Sequence, residues 1–107
     1  MTTTATRPER IALRNFLERL PEGAVRVTRP SRWGNPFRVE QHGLLDAIRL
    51  HRQWLLTGTE PIRLGRHIYD PTRVRNELHL LRGKPLACTC PAGQPCHADT
   101  LLELANR

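Results

Sequence analysis

The chain has 107 residues, 38% of them hydrophobic, which leaves room for one domain with one modest core. Its formal net charge is +7, and sixteen of the seventeen basic residues are arginine, which favours an anionic partner. The same arginine excess also fits the coding bias of a GC-rich genome. No stretch reaches the roughly 18 apolar residues of a membrane span, and the start lacks the apolar core of a signal peptide. We therefore expect a cytoplasmic protein with no membrane partner.

The first segments predict a tail and a helix. We expect a disordered Thr-rich tail over 1–7 and a single domain over 8–107. Thr6 and Glu9 match a capping box, and apolar residues recur at helical spacing over 11–20. This pattern predicts a helix before the first strand.

The middle of the chain predicts a strand, a loop and a helix. Residues 24–28, AVRVT, alternate apolar and polar side chains as a half-buried strand does. Residues 29–37, RPSRWGNPF, contain two prolines and a glycine, which predict a loop. Apolar residues over 44–56 then follow helical spacing.

The last third carries sharper signals. Asp70 at an N-cap position, Pro71 after it and Gly83 beyond the last apolar residue delimit another helix. Residues 85–89, PLACT, predict a short buried strand, and a final helix begins at about His97.

This order of elements predicts a small Rossmann-like α/β domain, with a short parallel sheet and about four helices. Two strands joined by a long helical crossover are most easily parallel neighbours, and the loops that leave their carboxyl ends then lie together. We therefore expect the loop over 29–37 to lie beside the segment over 88–97. Residues 63–69, RLGRHIY, predict a third strand or an edge ribbon.

The segment CTCPAGQPCH contains all three cysteines. Residues two apart on an extended segment face the same side, so Cys88 and Cys90 can point at one centre, to which Cys96 and His97 return. Three thiolates and one imidazole suit tetrahedral zinc, although histidine does not exclude an iron–sulfur cluster. An odd number of clustered cysteines argues against a disulfide framework.

Two other interpretations of this segment stay open. A loop between a strand and a helix can activate a thiol, so Cys90 is a candidate nucleophile with His97 as its base. Asp99 can complement the helix dipole, orient His97 or move protons. Alternatively, the cysteines pack as small hydrophobic residues, Cys88 above all.

The loop over 29–37 has the composition of a nucleotide or nucleic-acid site. Arginines bind phosphate, tryptophan offers a flat face for a base or a guanidinium, and glycine lets the backbone approach a ligand. The candidate ligand-binding residues are Arg29, Ser31, Arg32, Trp33, Gly34 and Asn35. The alternative is a rigid turn in which Trp33 and Phe37 fill the core.

The remaining histidines are scattered, and we expect them to be surface or packing residues. His51 and His67 are reserve fourth ligands if Cys96 and His97 cannot both bind one ion. Trp54, at helical spacing, is expected in the core.

Two motifs together resemble the small bacterial and phage domain of unknown function numbered 4326. They are RPSRWGNPF over 29–37 and LRGKPLACTCPAGQPCHADTLLELAN over 81–106, with a WLL helix between them. The resemblance covers most of the chain after about Ala24. It implies one site that joins the cysteines, His97 and Asp99 to the first motif, namely Arg29, Ser31, Trp33, Gly34, Asn35 and Pro36. Thr28 stands where the family often has glycine, and Ala92 and Gly93 lengthen the cysteine loop.

Two hypotheses of function follow. The first is a zinc-binding module whose basic, Trp-bearing face holds a nucleic acid or nucleotide. The second is an enzyme that acts on a nucleoside or nucleotide through metal-bound water or a Cys90 nucleophile, with His97 or Asp99 moving protons. The sequence does not indicate the oligomeric state.

Overall fold

A computed structural model describes residues 7–15 and 17–107. The tail predicted over 1–7 lies outside these residues except for Arg7. The elements are β1 (Arg10–Ala12), β2 (Val25–Arg26), α1 (Val39–His42), α2 (Leu44–Thr57), β3 (Ile62–Leu64), β4 (His67–Tyr69), α3 (Pro71–Glu77), a 3-10 helix (Leu78–Leu81), β5 (Leu86–Cys88) and α4 (His97–Ala105).

A parallel sheet with strand order β1, β5, β2 forms the centre of the molecule and confirms the predicted α/β class. All three residues of β5 are buried, as expected for a central strand with an apolar sequence. β2 pairs with β5 in parallel, and Val27 N donates to Ala87 O at 2.9 Å just beyond it. The segments that follow β2 and β5 therefore leave the same edge of the sheet, as predicted.

The helix predicted over 11–20 is wrong, because this region supplies the edge strand β1. Leu86 N donates to Glu9 O at 2.8 Å, and Leu13 N donates to Cys88 O at 2.7 Å. The backbone groups on either side of β1 therefore find their hydrogen-bond partners on β5. This parallel pairing overrides the local capping signal. Thr6 and Phe16, on which the prediction partly rested, lie outside the described residues.

The other helices follow their local signals. α2 confirms the helix predicted over 44–56 and buries Trp54 as expected. Asp70 Oδ1 accepts from Thr72 N at 3.0 Å and caps α3, with Pro71 in the first helical turn. α3 ends at Glu77, and the chain continues as the tighter 3-10 helix. The single helix predicted between Asp70 and Gly83 is therefore divided in two.

The strands β3 and β4 form a separate antiparallel hairpin, which is the edge ribbon rather than the third strand of the sheet. Leu64, His67 and Tyr69 from this hairpin line a cleft beside the sheet edge. Among the described residues, no helix has the length and apolar character needed to cross a membrane.

Candidate metal centre and its cleft

The three cysteines converge at the carboxyl edge of the sheet. Cys88 ends β5, Cys90 follows it, and Cys96 is the N-cap of α4. Their Sγ atoms all lie within 4.8 Å of one another, and Cys88 Sγ is 3.0 Å from Cys96 Sγ. All three are free thiols, and they lie close enough to hold a metal ion.

The thiols perturb one another strongly. Hydrogen bonds from the Cys90 and Cys96 thiols lower the pKa of Cys88, because they stabilise its thiolate. The bond to Cys88 is in turn the largest cause that raises the pKa of Cys90 and of Cys96. The protein groups alone therefore favour one thiolate in this cluster, and three thiolates require a neighbouring cation.

His97 lies beside the cysteine cluster, although it does not belong to the mutually close set. Its Nε2 is 2.7 Å from Val27 O, and a carbonyl only accepts, so Nε2 carries the hydrogen. Burial lowers the pKa of His97 and favours the neutral ring, whose Nδ1 then keeps a free lone pair. That Nδ1 is 3.6 Å from Cys96 Sγ.

The two reserve histidines occupy different places. The ring of His51 is 1% exposed and packs edge-on against His97, with 5.6 Å between the ring centroids. Burial is the main cause that lowers the pKa of His51 to about 3, and the neighbouring His97 imidazole, which disfavours a second charge beside it, lowers it further. His67 is exposed on the hairpin and lines the cleft.

Arg10, which the sequence analysis missed, holds the loop between Cys90 and Cys96. Its guanidinium donates to Gln94 O at 2.6 Å and to Asp99 Oδ2 at 3.1 Å, and it reaches Pro91 O at 3.4 Å. Its partners are 81 to 89 residues away, so only the observation that β1 is a strand beside β5 could have indicated this contact.

Asp99 supports the loop from the helix side. Its Oδ2 accepts from Cys96 N at 3.2 Å, and Cys96 Sγ accepts from Ala98 N at 3.5 Å, which together make a capping box. Asp99 is therefore engaged by Arg10 and by the helix N-terminus. It does not line the cleft.

A cleft of about 480 Å³ joins the two segments that the sequence placed at one sheet edge. Arg29 and Asn35 line it from the first segment, and all three cysteines and His97 line it from the second. An apolar wall completes it, formed by Phe37, Val39, Leu44, Ala47, Ile48 and Leu64. This combination of an apolar wall and a few convergent polar groups is typical of small-molecule sites.

Arg29 contributes a guanidinium group to this cleft. It is exposed and forms no ion pair with the residues that the structure describes. Burial raises the pKa of Tyr69, and the charge of Arg29 partly offsets that rise, so the charge acts within the cleft. Gly34 packs directly on Arg29, because a Cβ there would lie 2.6 Å from Arg29 Cγ and 2.9 Å from its Cα.

Asn35 and Thr28 differ in what they can offer to a ligand. Asn35 Nδ2 donates to Ala47 O at 3.0 Å and its Oδ1 accepts from Phe37 N at 2.8 Å, so this amide braces the loop against α2. Thr28, which no motif singled out as a ligand, is 5% exposed and lines the cleft. Its Oγ1 has no hydrogen-bond partner among the described residues.

The other predicted ligand-binding residues do not line the cleft. Trp33 is 4% exposed and belongs to the core, so its ring does not line the cleft. The guanidinium of Arg32 stacks over that ring at 4.5 Å from its centroid. Ser31, Arg32 and Trp33 line a second depression instead.

The fold and this site define a small α/β domain with a three-cysteine candidate metal centre. The family described as a domain of unknown function, DUF4326, matches residues 12–107, and the chain belongs to that family, as its two motifs predicted. No curated protein and no solved structure matches the chain at a significant level.

Proposed function

We propose that the protein is a zinc-binding domain that holds a nucleotide, free or within a nucleic acid, in the cleft beside its cysteines. The observation that carries this proposal is the shared cleft, which is lined by the thiol cluster, an apolar wall and Arg29. Arg29 has no ion pair with the residues that the structure describes. The metal part and the nucleotide part rest on different residues and are tested separately.

Zinc fits the donor set. Tetrahedral zinc with bonds of about 2.3 Å to sulfur needs about 3.8 Å between sulfurs. The Sγ atoms of Cys88 and Cys96 are 3.0 Å apart, so they would move slightly apart to bind the ion. The Nδ1 of His97 is the candidate fourth ligand, and tetrahedral geometry needs about 3.6 Å between it and a thiolate sulfur. Its distance from Cys96 Sγ is 3.6 Å, and its hydrogen bond to Val27 O is the kind of contact that orients histidine ligands. When bound, the ion supplies the charge that three thiolates require.

A nucleotide fits the cleft for complementary reasons. Its base has an apolar face that suits Phe37 and Ile48, and its sugar or phosphate carries groups that suit Arg29 and the Thr28 hydroxyl. The net charge of +7 favours a polyanionic or phosphorylated ligand over a neutral one.

Metal analysis of the purified protein tests the first part. We expect one zinc per chain, with loss of bound zinc in the Cys88→Ser, Cys90→Ser and Cys96→Ser variants and weaker binding in His97→Ala. Thr89→Ala, which changes the residue between two of the ligands, is the matched control and keeps its zinc. Wild-type protein that binds no zinc, even after reconstitution under reducing conditions, overturns the metal proposal.

Calorimetric titration with adenosine and guanosine monophosphates and with a short single-stranded oligonucleotide tests the second part. We expect saturable binding that weakens with salt and that falls at least tenfold in Arg29→Gln. Arg49→Gln is the matched control, because Arg49 lies on α2 and lines neither the cleft nor the second depression. Absence of saturable binding to all of these ligands overturns the nucleotide proposal.

One observation favours the enzyme as the second candidate, namely that Cys90 and His97 both line the cleft. In that case Cys90 is the nucleophile, and His97, next to the thiol cluster, is its candidate base. Asp99 positions the loop, because its carboxylate faces Arg10 and the Cys96 amide. Product analysis by chromatography after incubation with nucleosides and nucleotides tests this. A substrate that is consumed by wild type and only bound by Cys90→Ser supports the enzyme, and binding without conversion supports the module.

A further inference from the structure

The second depression has a volume of about 370 Å³, and none of the three cysteines lines it. Its polar lining consists of Arg26, Ser31, Arg32, His67 and Arg73, and we call it the basic depression. No carboxylate side chain lines it among the residues that the structure describes. Its lining is therefore suited to an anion.

Two buried atoms of this lining have neither a hydrogen-bond partner nor an ion-pair partner among the described residues. They are Arg26 Nη1 and Ser31 Oγ, and both residues line the basic depression. Buried donors without partners are costly and uncommon in folded proteins, and here two of them belong to the lining of one cavity. An acceptor-rich group bound in the depression would offer a partner to both residues.

The arginines of the basic depression keep excess positive charge. Arg32 Nε and Arg73 Nε share one oxygen of Glu77, at 3.0 and 3.1 Å. Among the described residues, Arg26 donates only to a backbone carbonyl, Glu18 O at 3.0 Å. Three guanidinium groups and one carboxylate leave a formal charge of +2. Arg32 is also held in place by its stacking on Trp33, so the charge is pre-organised.

We propose that the basic depression binds a phosphate group. Guanidinium groups and a hydroxyl match the several acceptor oxygens of a phosphate. Pro30 and His67 line both the cleft and the basic depression, so the two cavities adjoin each other. On the assumption that the proposed function holds, one nucleotide spans both cavities, with its base in the cleft and its phosphate in the basic depression.

The phosphate site is tested on the full chain with inorganic pyrophosphate as the probe, by calorimetric titration. We expect saturable binding that weakens at least tenfold in Arg26→Gln and in Arg73→Gln. Arg73 is exposed on α3, so its variant stays folded even if loss of the Glu18 contact destabilises Arg26→Gln. Arg49→Gln, which removes the same charge elsewhere, keeps wild-type affinity. No saturable binding, or equal weakening in all three variants, overturns the proposal.

Comparison of a nucleoside with its monophosphate separates this inference from the proposed function. The proposal predicts that the monophosphate binds at least tenfold more tightly, and that Arg73→Gln removes this difference. Equal binding of the two ligands refutes the phosphate site and leaves the cleft proposal standing. Binding of pyrophosphate without binding of any nucleoside or nucleotide refutes the cleft proposal and supports the phosphate site alone.

Discussion

The contact of Arg10 with the cysteine loop predicts that replacement of this remote residue weakens metal binding. Arg10 is on β1, yet its guanidinium bonds to the loop between Cys90 and Cys96, and to Asp99 behind it. Because two of the proposed ligands lie at the ends of this loop, the contact holds their sulfurs in place. The Arg10→Gln variant keeps a polar side chain and removes the contact.

The magnitude follows from the three contacts. The hydrogen bond of 2.6 Å from the charged guanidinium to Gln94 O contributes about 1.5 kcal/mol. The side chain of Asp99 is 55% exposed, so the ion pair at 3.1 Å adds only about 0.5 kcal/mol, and the 3.4 Å contact with Pro91 O adds nothing. The total of about 2 kcal/mol corresponds to about a thirtyfold loss of affinity if all of it opposes metal binding.

Two measurements together detect this loss. Competition with a colorimetric chelator gives the zinc affinity, and urea unfolding in excess chelator gives the free energy of unfolding of the metal-free chain. In Arg10→Gln, we expect the loss of zinc-binding free energy and the loss of unfolding free energy to sum to about 2 kcal/mol. Arg14→Gln is the matched control, because the Arg14 side chain is 89% exposed and, in the part of the chain that the structure describes, pairs only with Glu18. Arg10→Gln protein that equals Arg14→Gln in both measurements refutes the argument.

Three further changes test the core, the loop and the buried histidine. Trp33→Ala should lower the free energy of unfolding by about 3–5 kcal/mol in urea titrations, since Trp33 is 4% exposed, and a loss below about 1 kcal/mol would contradict its place in the core. Gly34→Ala should lower the free energy of unfolding by about 1–3 kcal/mol and weaken nucleotide binding, because its Cβ would lie 2.9 Å from Arg29 Cα. Unchanged stability and unchanged binding would contradict this, since they would mean that the loop backbone moves at no cost. The lowered pKa of His51, about 3, means that at acid pH the unfolded chain takes up a proton that the folded chain excludes. Stability should therefore fall below about pH 6.5, by about 2 kcal/mol at pH 5, and a His51→Leu variant with the same pH slope as wild type would contradict this.

Much of the candidate site is visible in the sequence because its chemistry is local. The spacing of Cys88 and Cys90 along an extended segment, and the position of Cys96 at the start of a helix, predict convergence without knowledge of the rest of the chain. The alternation of strands and helices places the loop over 29–37 at the same sheet edge, which the shared cleft bears out.

The roles of individual residues within that loop depend on packing. Composition makes Trp33 and Asn35 attractive ligand-binding residues, but the core buries Trp33, and the Asn35 amide is occupied by Ala47 O and Phe37 N. The sequence did not single out Arg26 or Arg73, because neither belongs to a motif. They line one cavity only in the folded chain, where α3 contacts the loop that follows β2.

Local signals along the chain were enough to predict the helices α2, α3 and α4, the apolar strand β5 and the clustering of the thiols. Helix caps, turns and the alternation of apolar residues depend on residues that are close together in the chain. These signals therefore favour a local structure whatever the rest of the chain does. Long-range packing is what makes Arg10–Ala12 a strand, brings Arg10 to the cysteine loop and distributes the arginines between two cavities. These features join residues as far as 89 positions apart, and their energies appear only when β5 pairs with a strand on each side.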